Sequence, residues 1–391
     1  MKRKTIIFVA ALLIVYFLFT FFAPGIVDRK KNATFQKPPY DVSQKAQEVY
    51  HSLDFIADMH CDVLLWDRNI LKKHDYGQVD IPRMLSANIG LQAFTIVTKT
   101  PRNLNFDKNT GETDNISLLM FAQRQPLNVL LSLKERALMQ CESLKNFAKK
   151  SKGKFTVIES REDFQNYLSK RKNQPNITAG FLGIEGAHAL EGDLKNIDVL
   201  YDAGVRMIGL THFFDNKLGG SAHGVSHGGL TAFGKQAVTK MQSKNIIIDV
   251  AHASPKMIDD ILAMTTKPIV CSHTGVKGIC DNVRNMSDKH IKAIAKTNGL
   301  ISIAMFQQAV CDTKIKGTAK SIKYVIDLVG ADYVALGSDF DGAAHTSIDV
   351  TGFPLIVQEL LALGVSKSDI AKVMGGNVKR FMLENLPGKS N

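Results

Sequence analysis

The chain has 391 residues, 45% of them hydrophobic, and a formal net charge of +12 at pH 7. It is long enough to bury the core of a large barrel enzyme, which typically needs about 250 residues and often carries insertions. A charge of this sign suits either nucleic acid or an anionic lipid surface. The lysines are scattered and no nucleic-acid-binding module is recognisable, so we expect no nucleic-acid partner.

The N-terminus carries an uninterrupted apolar stretch, residues 6–22, directly after the basic residues 2–4. Its length lies between that of a signal-peptide core and that of a full membrane span. No clear small-x-small cleavage site follows, so we predict an uncleaved signal-anchor over residues 1–23, with a removed signal peptide as the alternative. The short basic tail favours a cytoplasmic N-terminus, which places the large domain on the extracytoplasmic side of a bacterial envelope. The polar, proline-containing residues 24–45 are predicted to be a linker.

Residues 46–391 are predicted to be one catalytic domain, in which apolar strand-like runs alternate with helical segments. Strand–helix alternation repeated eight times predicts an α/β fold, a closed parallel (β/α)8 TIM-type barrel, although an open doubly wound sheet shows the same alternation. The connection between the second and third runs, about residues 98–176, is too long for an unstructured loop, so we predict an α+β insertion there. The runs are Phe55–Asp62, Leu91–Val97, Ile177–Gly186, Val205–His212, Ile246–Ala253, Pro268–His273, Gly299–Phe306 and Val334–Phe340.

Two long segments of the sequence have a helical pattern. Residues 118–150, inside the insertion, have helical character throughout and are treated as one helical stretch. Residues 368–385, near the C-terminus, contain Gly375 and Gly376, so we expect a break or a cap there.

The cysteines are odd in number, widely spaced and without a Cys-x-x-Cys pair: Cys61, Cys141, Cys271, Cys280 and Cys311. This pattern argues against a zinc knuckle and against a thioredoxin-type redox centre. One disulfide is compatible with export, but the spacing does not assign it. Buried free thiols are the expected state of most of these residues.

Metal-binding and acid–base side chains stand at the ends of most of the apolar runs. Parallel strands that each end in a ligand residue are typical of a metal site at one rim of a barrel. The residues concerned are His60, Asp62, Glu185, His212, His252, His273 and Asp339.

The chemistry of each residue type supports this interpretation. On a strand, the side chains of His60 and Asp62 share a face and can chelate one divalent ion. Glu185 follows four apolar residues, and two nearby cations would compensate for burying its carboxylate; an ion pair with Lys or Arg is the alternative. His252 and His273 end consecutive runs, which suits neighbouring strands at one rim.

Three further residues are candidates for contact with a substrate. His212 is either a sixth ligand or a donor to a scissile carbonyl oxygen, and Asp339 is placed to pass a proton to a leaving amine. Arg284 could grip a substrate carboxylate, although a solvated surface arginine is the simpler interpretation of the sequence. Three loop histidines fit a pocket lining and a solvated loop equally: His223, His227 and His345.

Taken together, these residues resemble the membrane dipeptidase (renal dipeptidase) family of metallopeptidases, which has an amidohydrolase-like barrel, over about residues 55–386. The family's His-x-Asp, Gly-x-Glu-Gly-x-His, Leu-Thr-His, Leu-Ala-His-x-Ser, Ser-His-Ser, Arg-Asn and Gly-Asp-Phe-Asp-Gly motifs match here. They fall on His60/Asp62, Glu185/His188, His212, His252/Ser254, His273, Arg284/Asn285 and Asp339/Asp341.

The resemblance implies two Zn²⁺ ions per chain, with Glu185 bridging them. His60 and Asp62 would bind one ion, and His252 and His273 the other. It also implies a dipeptidase that acts by a metal-bridging hydroxide and accepts a C-terminal D-residue. In this interpretation His212 contacts the peptide carbonyl, Arg284 binds the terminal carboxylate and Asp339 is the proton shuttle. We further expect three partners: dipeptide substrates, the membrane, and a second copy of the chain in a homodimer.

The chain departs from the family pattern at Cys61, where the family has Asn, at Thr274, where it has Ser, and in the stretch after His212. No ligand position is lost, so these differences bear on substrate preference. Two alternatives stay open: another metal-dependent amidohydrolase acting on a lactam, lactone or cyclic amide, and a catalytically silent, membrane-tethered binding protein. The complete ligand set together with Asp339 argues against the second.

Overall fold

The structure, a computed structural model, describes residues 2–389. Across that range the backbone forms one nine-stranded sheet surrounded by α-helices. The strands are β1 (Ala57–Asp58), β2 (Leu91–Val97), β3 (Phe155–Val157), β4 (Thr178–Glu185), β5 (Val205–Gly209), β6 (Ile247–Asp249), β7 (Val270–Thr274), β8 (Leu300–Ile303) and β9 (Val334–Leu336). The helices are α1 (Lys2–Lys31), α2 (Gln44–His51), α3 (Ile81–Ser86), α4 (Ile116–Ala122), α5 (Leu127–Leu131), α6 (Leu133–Lys150), α7 (Arg161–Asn173), α8 (Lys195–Asp202), α9 (Ala232–Ser243), α10 (Pro255–Met264), α11 (Asp288–Lys296), α12 (Gln307–Val310), α13 (Ile315–Val329), α14 (Phe353–Ala362), α15 (Lys367–Ala371) and α16 (Asn377–Asn385).

Eight of these strands form a parallel barrel in the order β1-β2-β4-β5-β6-β7-β8-β9. The two ends of this path meet, because the backbone N–H of Met59 donates to the carbonyl oxygen of Leu336 at 2.9 Å and that of Asp62 to Phe340 at 2.8 Å. Strand β3 lies outside the path and pairs with the start of β4. The predicted TIM-type barrel is therefore confirmed.

The apolar runs form barrel strands because both of their faces are covered. Every residue of β2 and of β4 is buried, as expected for strands between an inner core and an outer layer of helices. The helices start abruptly after the strand ends. In α10, for example, the Ser254 hydroxyl accepts a hydrogen bond from the backbone N–H of Met257 at 3.0 Å, and Pro255 occupies the first turn.

The barrel strands end sooner than the sequence runs indicated. Of the seven candidate residues, only Glu185 and His273 lie within strands, so the expectation that each ligand closes a strand was wrong for the rest. The backbone explains the difference at two positions, because His252 and Asp339 have φ angles of 61° and 63°, which no strand accommodates. The residues beyond the strands are His60, Asp62, His212, His252 and Asp339.

The long connection after β2 forms an α+β insertion, as predicted, but its long helical stretch is divided into α4, α5 and α6. Pro126 precedes α5, and a proline disfavours helical geometry in the residue before it. Ser132 begins α6 by accepting a hydrogen bond from the backbone N–H of Glu135 at 3.2 Å.

Helix α1 is long and apolar enough to cross a membrane, by length and composition. Residues 4–19 are exposed, whereas Thr20, Pro24, Asp28 and Asn32 are buried at four-residue intervals against the barrel. Because this stripe packs on the catalytic domain, the helix continues to Lys31. The first third of the predicted linker is therefore helical, which corrects the boundary expected at residue 24.

The C-terminal helical stretch is broken, as expected, into α15, a π-helical turn (Lys372–Gly376) and α16. Gly375 packs directly on the chain that leads into β1, because a Cβ atom there would lie 2.4 Å from the carbonyl oxygen of Phe55. A side chain at this position would push the helices away from the bottom of the barrel.

One disulfide joins Cys280 to Cys311, 31 residues apart. It ties the loop after β7 to the end of α12. The remaining three cysteines are buried and free: Cys61, Cys141 and Cys271.

Candidate metal centre

The Glu185 carboxylate lies at the centre of the cluster of candidate ligands. Its Oε1 atom is 2.9 Å from His252 Nε2, 3.2 Å from His273 Nε2 and 3.6 Å from His60 Nε2. Its Oε2 atom is 3.3 Å from His212 Nε2. Strand ends that are far apart in the chain therefore bring four imidazoles to one buried carboxylate.

A second group of ligand atoms adjoins the first on the side of β1. His60 Nε2 lies 3.4 Å from Asp62 Oδ1 and 3.8 Å from Asp339 Oδ1. All three side chains are within reach of one cation. Glu185 stands between this group and the histidines on the other side, so its carboxylate is common to both sets of ligand atoms.

The unsatisfied polar atoms of the cluster fit a metal. His252 Nε2 and His273 Nε2 face each other at 3.0 Å, and both approach the same carboxylate oxygen. His60 Nε2 is buried and has no hydrogen-bond partner among residues 2–389. Buried polar atoms left in this way are costly, and cations would satisfy them. Imidazole nitrogen and carboxylate oxygen are also the ligands that zinc takes in proteins.

Ser272 and Asp249 fix the orientation of two of the imidazoles. The Ser272 hydroxyl donates to Asp249 Oδ2 at 2.5 Å and lies 3.1 Å from His60 Nδ1 and 3.0 Å from His273 Nδ1. A hydroxyl has one hydrogen to donate and can accept two, so both Nδ1 atoms must be the donors. When the two imidazoles are neutral, as they must be to bind a metal, both Nε2 atoms are left as acceptors that point into the cluster. Sequence reasoning missed this pair of residues.

A further buried network positions the loop that carries Asp339. Asp58 Oδ1 accepts from the backbone N–H of Ser338 at 2.7 Å, and Asp58 Oδ2 accepts from the hydroxyl of Ser338 and from Gln92, each at 2.6 Å. Thr95 donates to Asp62 Oδ1 at 2.5 Å. These bonds hold the carboxylates of the rim before any metal or substrate binds.

The shifted pKa values of the cluster show that bound positive charge, from protons or a cation, would stabilise it. Burial, together with the neighbouring Asp62, raises the pKa of Asp339 to about 7 and that of Glu185 well above its usual range. Burial opposes the protonation of His60, but the Asp62 and Glu185 carboxylates outweigh it and raise its pKa to about 10. Burial lowers the pKa of His252 well below its usual value, so this imidazole is neutral and free to bind a metal.

The cluster opens into a cavity of about 610 Å³. Arg284 lines it, is only 5% exposed and donates from Nη2 to the carbonyl oxygen of His273 at 2.6 Å. Its Nε atom has no hydrogen-bond partner within the described range. The interpretation of Arg284 as a solvated surface residue was therefore wrong. The candidate residues that line the cavity are Asp62, Glu185, His212, His252, Arg284 and Asp339.

The remaining histidines separate into two groups. His223 is buried beside His252, with ring centroids 5.0 Å apart, and His188 is buried with its ring stacked on Phe214. His227 and His345 are exposed loop residues, and His345 also lines the cavity. Burial lowers the pKa of His188 to about 3 and that of His223 to about 4, so both are neutral side chains near neutral pH.

Helix α1 forms part of the cavity wall, which sequence reasoning did not anticipate. Asp28 of α1 pairs with Arg68 Nε at 2.7 Å, and Arg68 Nη2 pairs with Asp341 Oδ1 at 2.5 Å. Asp341 thus faces away from the ligand cluster and holds the loop after β9 against α1. The residues of α1 that line the cavity are Phe19, Ala23, Pro24, Val27 and Lys31.

A parallel barrel with clustered imidazoles and carboxylates at its C-terminal rim, opening into a cavity, defines the class of metal-dependent barrel hydrolases. Residues 43–386 match the family described as membrane dipeptidase, peptidase family M19. The chain belongs to this family, and it is therefore a metallopeptidase-type hydrolase that acts on dipeptides.

Relatives and solved structures agree with this assignment. The chain is 28% identical to "Dipeptidase aclJ" of Aspergillus oryzae, over 84% of this chain and 77% of that protein. It is 26% identical to "Dipeptidase 3" of Mus musculus, over 53% of this chain and 45% of that protein. Two solved structures share the fold. A metallopeptidase of Rhodobacter sphaeroides, liganded with a phosphinate mimic of the dipeptide L-Ala-D-Ala, has a TM-score of 0.69 at 21% identity over 86% of this chain and 100% of its own. The probable dipeptidase PvdM of Pseudomonas aeruginosa has a TM-score of 0.73 at 21% identity over 88% and 98%.

Proposed function

We propose that this protein is a zinc dipeptidase that binds two Zn²⁺ ions and accepts dipeptides with a C-terminal D-residue. The observation that carries the proposal is the Glu185 carboxylate, which has imidazoles on both sides and one oxygen within 3.2 Å of two of them. The phosphinate mimic of L-Ala-D-Ala bound by the relative from Rhodobacter sphaeroides supports the choice of substrate.

Each residue has a role that follows from its position. His60 and Asp62 would hold one zinc ion, His252 and His273 the other, and Glu185 would bridge the two. Zinc bound there would lower the pKa of a coordinated water and polarise the scissile carbonyl.

The substrate would be held between Arg284 and the ligand cluster. Arg284 lines the cavity, where a terminal carboxylate can accept charge-assisted hydrogen bonds from its guanidinium group. His212 would contact the peptide carbonyl from the other side. Asp339 lines the same cavity beside His60 and would take up a proton and release it to the leaving amine.

We also propose that α1 anchors the catalytic domain on the extracytoplasmic side of a membrane. The exposed apolar residues 4–19 support the anchor. The Cys280–Cys311 disulfide supports the side, because disulfides persist in oxidising compartments outside the cytoplasm. A homodimer stays an expectation.

The decisive experiment combines activity and metal analysis on one sample. A panel of L,L- and L,D-dipeptides is assayed with the zinc-loaded enzyme, and zinc per chain is measured with and without a chelator. We expect hydrolysis of both classes, two zinc ions per chain, and loss of activity on chelation. One ion per chain, or hydrolysis of L,L-dipeptides alone, would overturn that part of the proposal.

The variant Asp339→Asn tests the proton-transfer role. Removal of a general acid–base group typically costs about 10²–10⁴-fold in turnover, and we expect a loss of that size with zinc content unchanged. The control is Asp281→Asn, on an exposed side chain of the loop after β7. If Asp339→Asn loses zinc as well as activity, the side chain is a ligand rather than a proton shuttle.

A further inference from the structure

A second apolar surface lies beside the exposed part of α1. It is formed by the insertion helices α4 and α5, whose large side chains are more exposed than is usual for such residues. We call it the insertion patch; its members are Leu118 (52% exposed), Phe121 (45%), Leu127 (67%) and Leu131 (78%).

The insertion patch is continuous with the apolar surface of the anchor helix. The rings of Phe121 and Tyr16 are in edge contact, with centroids 5.8 Å apart. Tyr16 lies inside the apolar stretch 6–22, six residues before its end, which is about 9 Å along a helix axis. Any membrane that takes up this stretch must therefore reach the level of α4.

Basic residues follow both apolar surfaces along the chain, an arrangement that suits the surface of an anionic membrane. Exposed basic residues end α1, namely Arg29, Lys30 and Lys31, and the exposed Arg124 follows α4. Basic side chains at the margin of an apolar surface bind the headgroups of anionic lipids while the apolar side chains enter the acyl region.

We infer that the insertion patch rests in the interface of a lipid bilayer and turns the catalytic rim of the barrel toward the membrane. The inference rests on the proposed anchoring by α1. The cavity then lies at the level of the headgroups, because Phe19 and Ala23 of α1 and Ile116 and Leu119 of α4 are among the residues that line it. A second protein copy on the insertion patch is the competing occupant.

Site-directed spin labelling of the full chain in phosphatidylcholine–phosphatidylglycerol vesicles tests the inference. Leu127→Cys and Leu131→Cys place labels on the insertion patch, and Val199→Cys on α8 is a matched control, since Val199 is apolar and 38% exposed. The native free thiols are buried, so the introduced cysteine is the reactive one. Retained dipeptidase activity shows that each labelled variant is folded, because none of the three residues lines the cavity.

The measurement compares relaxation of each label by oxygen, which partitions into lipid, with relaxation by a water-soluble nickel chelate. We expect an oxygen-to-nickel ratio several-fold higher at positions 127 and 131 than at position 199. A ratio equal to the control would overturn the inference, and protection from both reagents would identify a protein partner and overturn it as well. A label at Val15→Cys in α1 separates the two proposals, because water-like behaviour there contradicts the anchor itself.

Discussion

At the scale of single residues, the site depends on which nitrogen of each imidazole carries the proton. Ser272 accepts from the Nδ1 atoms of His60 and His273 while it donates to Asp249, and this arrangement leaves both Nε2 atoms free for a metal. One hydroxyl thus sets the tautomer of two ligands, one on each side of Glu185.

Ser272→Ala should therefore weaken zinc binding. Loss of a group that orients a metal ligand typically lowers metal affinity about 10–100-fold, and here two ligands lose their acceptor together. Zinc affinity is measured by competition with a chromophoric chelator. Ser302→Ala is the control, because Ser302 is also a buried strand serine but its hydroxyl has no hydrogen-bond partner within residues 2–389. Equal zinc affinity in the two variants would contradict the role of Ser272.

Arg284→Ala should raise KM for dipeptides with a free C-terminal carboxylate. Hydrogen bonds to charged groups contribute about 1.5–3 kcal/mol, which corresponds to roughly 10–100-fold in kcat/KM. The control substrate is the same dipeptide with an amidated C-terminus, for which the variant and the parent enzyme should differ little. An equal loss on both substrates would show that Arg284 supports the rim and does not bind the carboxylate.

Much of the site was predictable residue by residue, and the reason is physical. A histidine or carboxylate after an apolar run is conspicuous because its burial needs compensation, which identified residues such as Glu185 and His273. Ser272 and Asp249 have no such spacing signature, since a short polar side chain in a strand is satisfied in many ways. The buried position of Arg284 depends on the fold of its loop, which no local pattern predicts.

At the scale of elements, helix α1 and the loop after β9 are joined by a buried chain of charges. Asp28 and Asp341 stand on either side of Arg68, and all three side chains are at most 3% exposed. Asn32 adds a hydrogen bond from the backbone N–H of Ala343 at 2.9 Å. The catalytic Asp339 proposed above belongs to the same loop, so helix α1 helps to define its position.

Arg68→Met should destabilise the protein strongly. It leaves two buried carboxylates, Asp28 and Asp341, without their shared cation, and breaking a buried charge network in this way costs about 3–5 kcal/mol. Thermal unfolding of the full chain in detergent measures the effect. Arg29→Met is the control, because Arg29 pairs with Asp75 on the surface and its loss should not change Tm measurably. Similar Tm values for both variants would show that the buried network contributes nothing.

At the scale of the whole molecule, the barrel was predictable and its extensions were less so. Apolar runs that alternate with amphipathic segments define the barrel order, because each run must be covered on both faces. The ends of the strands were misjudged, because the backbone leaves the sheet before it reaches His252 and Asp339. The packing of α1 joins Asp28 to residues far along the chain. Polar contacts between distant segments produce no periodic pattern in the sequence, so they could not be predicted from it.

Removal of the metal should lower the stability of the whole barrel, and more so as pH rises. A ligand at 100 times its Kd stabilises the folded state by about 2.7 kcal/mol, and chelation removes that contribution. In the metal-free protein, burial raises the pKa of Asp339 from 3.8 to about 7, so the proton is bound more tightly in the folded state than in the unfolded state. The stability from this group is complete below about pH 4 and is lost as pH rises toward 7.

Tm measured from pH 5 to pH 8, with zinc and with a chelator, checks this expectation. The difference in Tm between the two samples should grow across that range. In the metal-free Asp339→Asn variant, Tm should change less with pH, since the titrating carboxyl group is gone. A constant difference at every pH would contradict the electrostatic origin of the effect.

With α1 as the proposed anchor, the chain between α1 and the barrel determines where a protease could release the catalytic domain. Between the apolar stretch and the barrel, the chain is first helical to Lys31 and then paired with the loop after β9, where Phe35 and Gln36 donate to Thr346 and Ser347. A soluble protease needs an exposed, unstructured stretch of backbone to cut. No such stretch lies between Pro24 and Gln36, but residues 37–43 are irregular and mostly exposed, so a soluble protease that releases the catalytic domain would cut there.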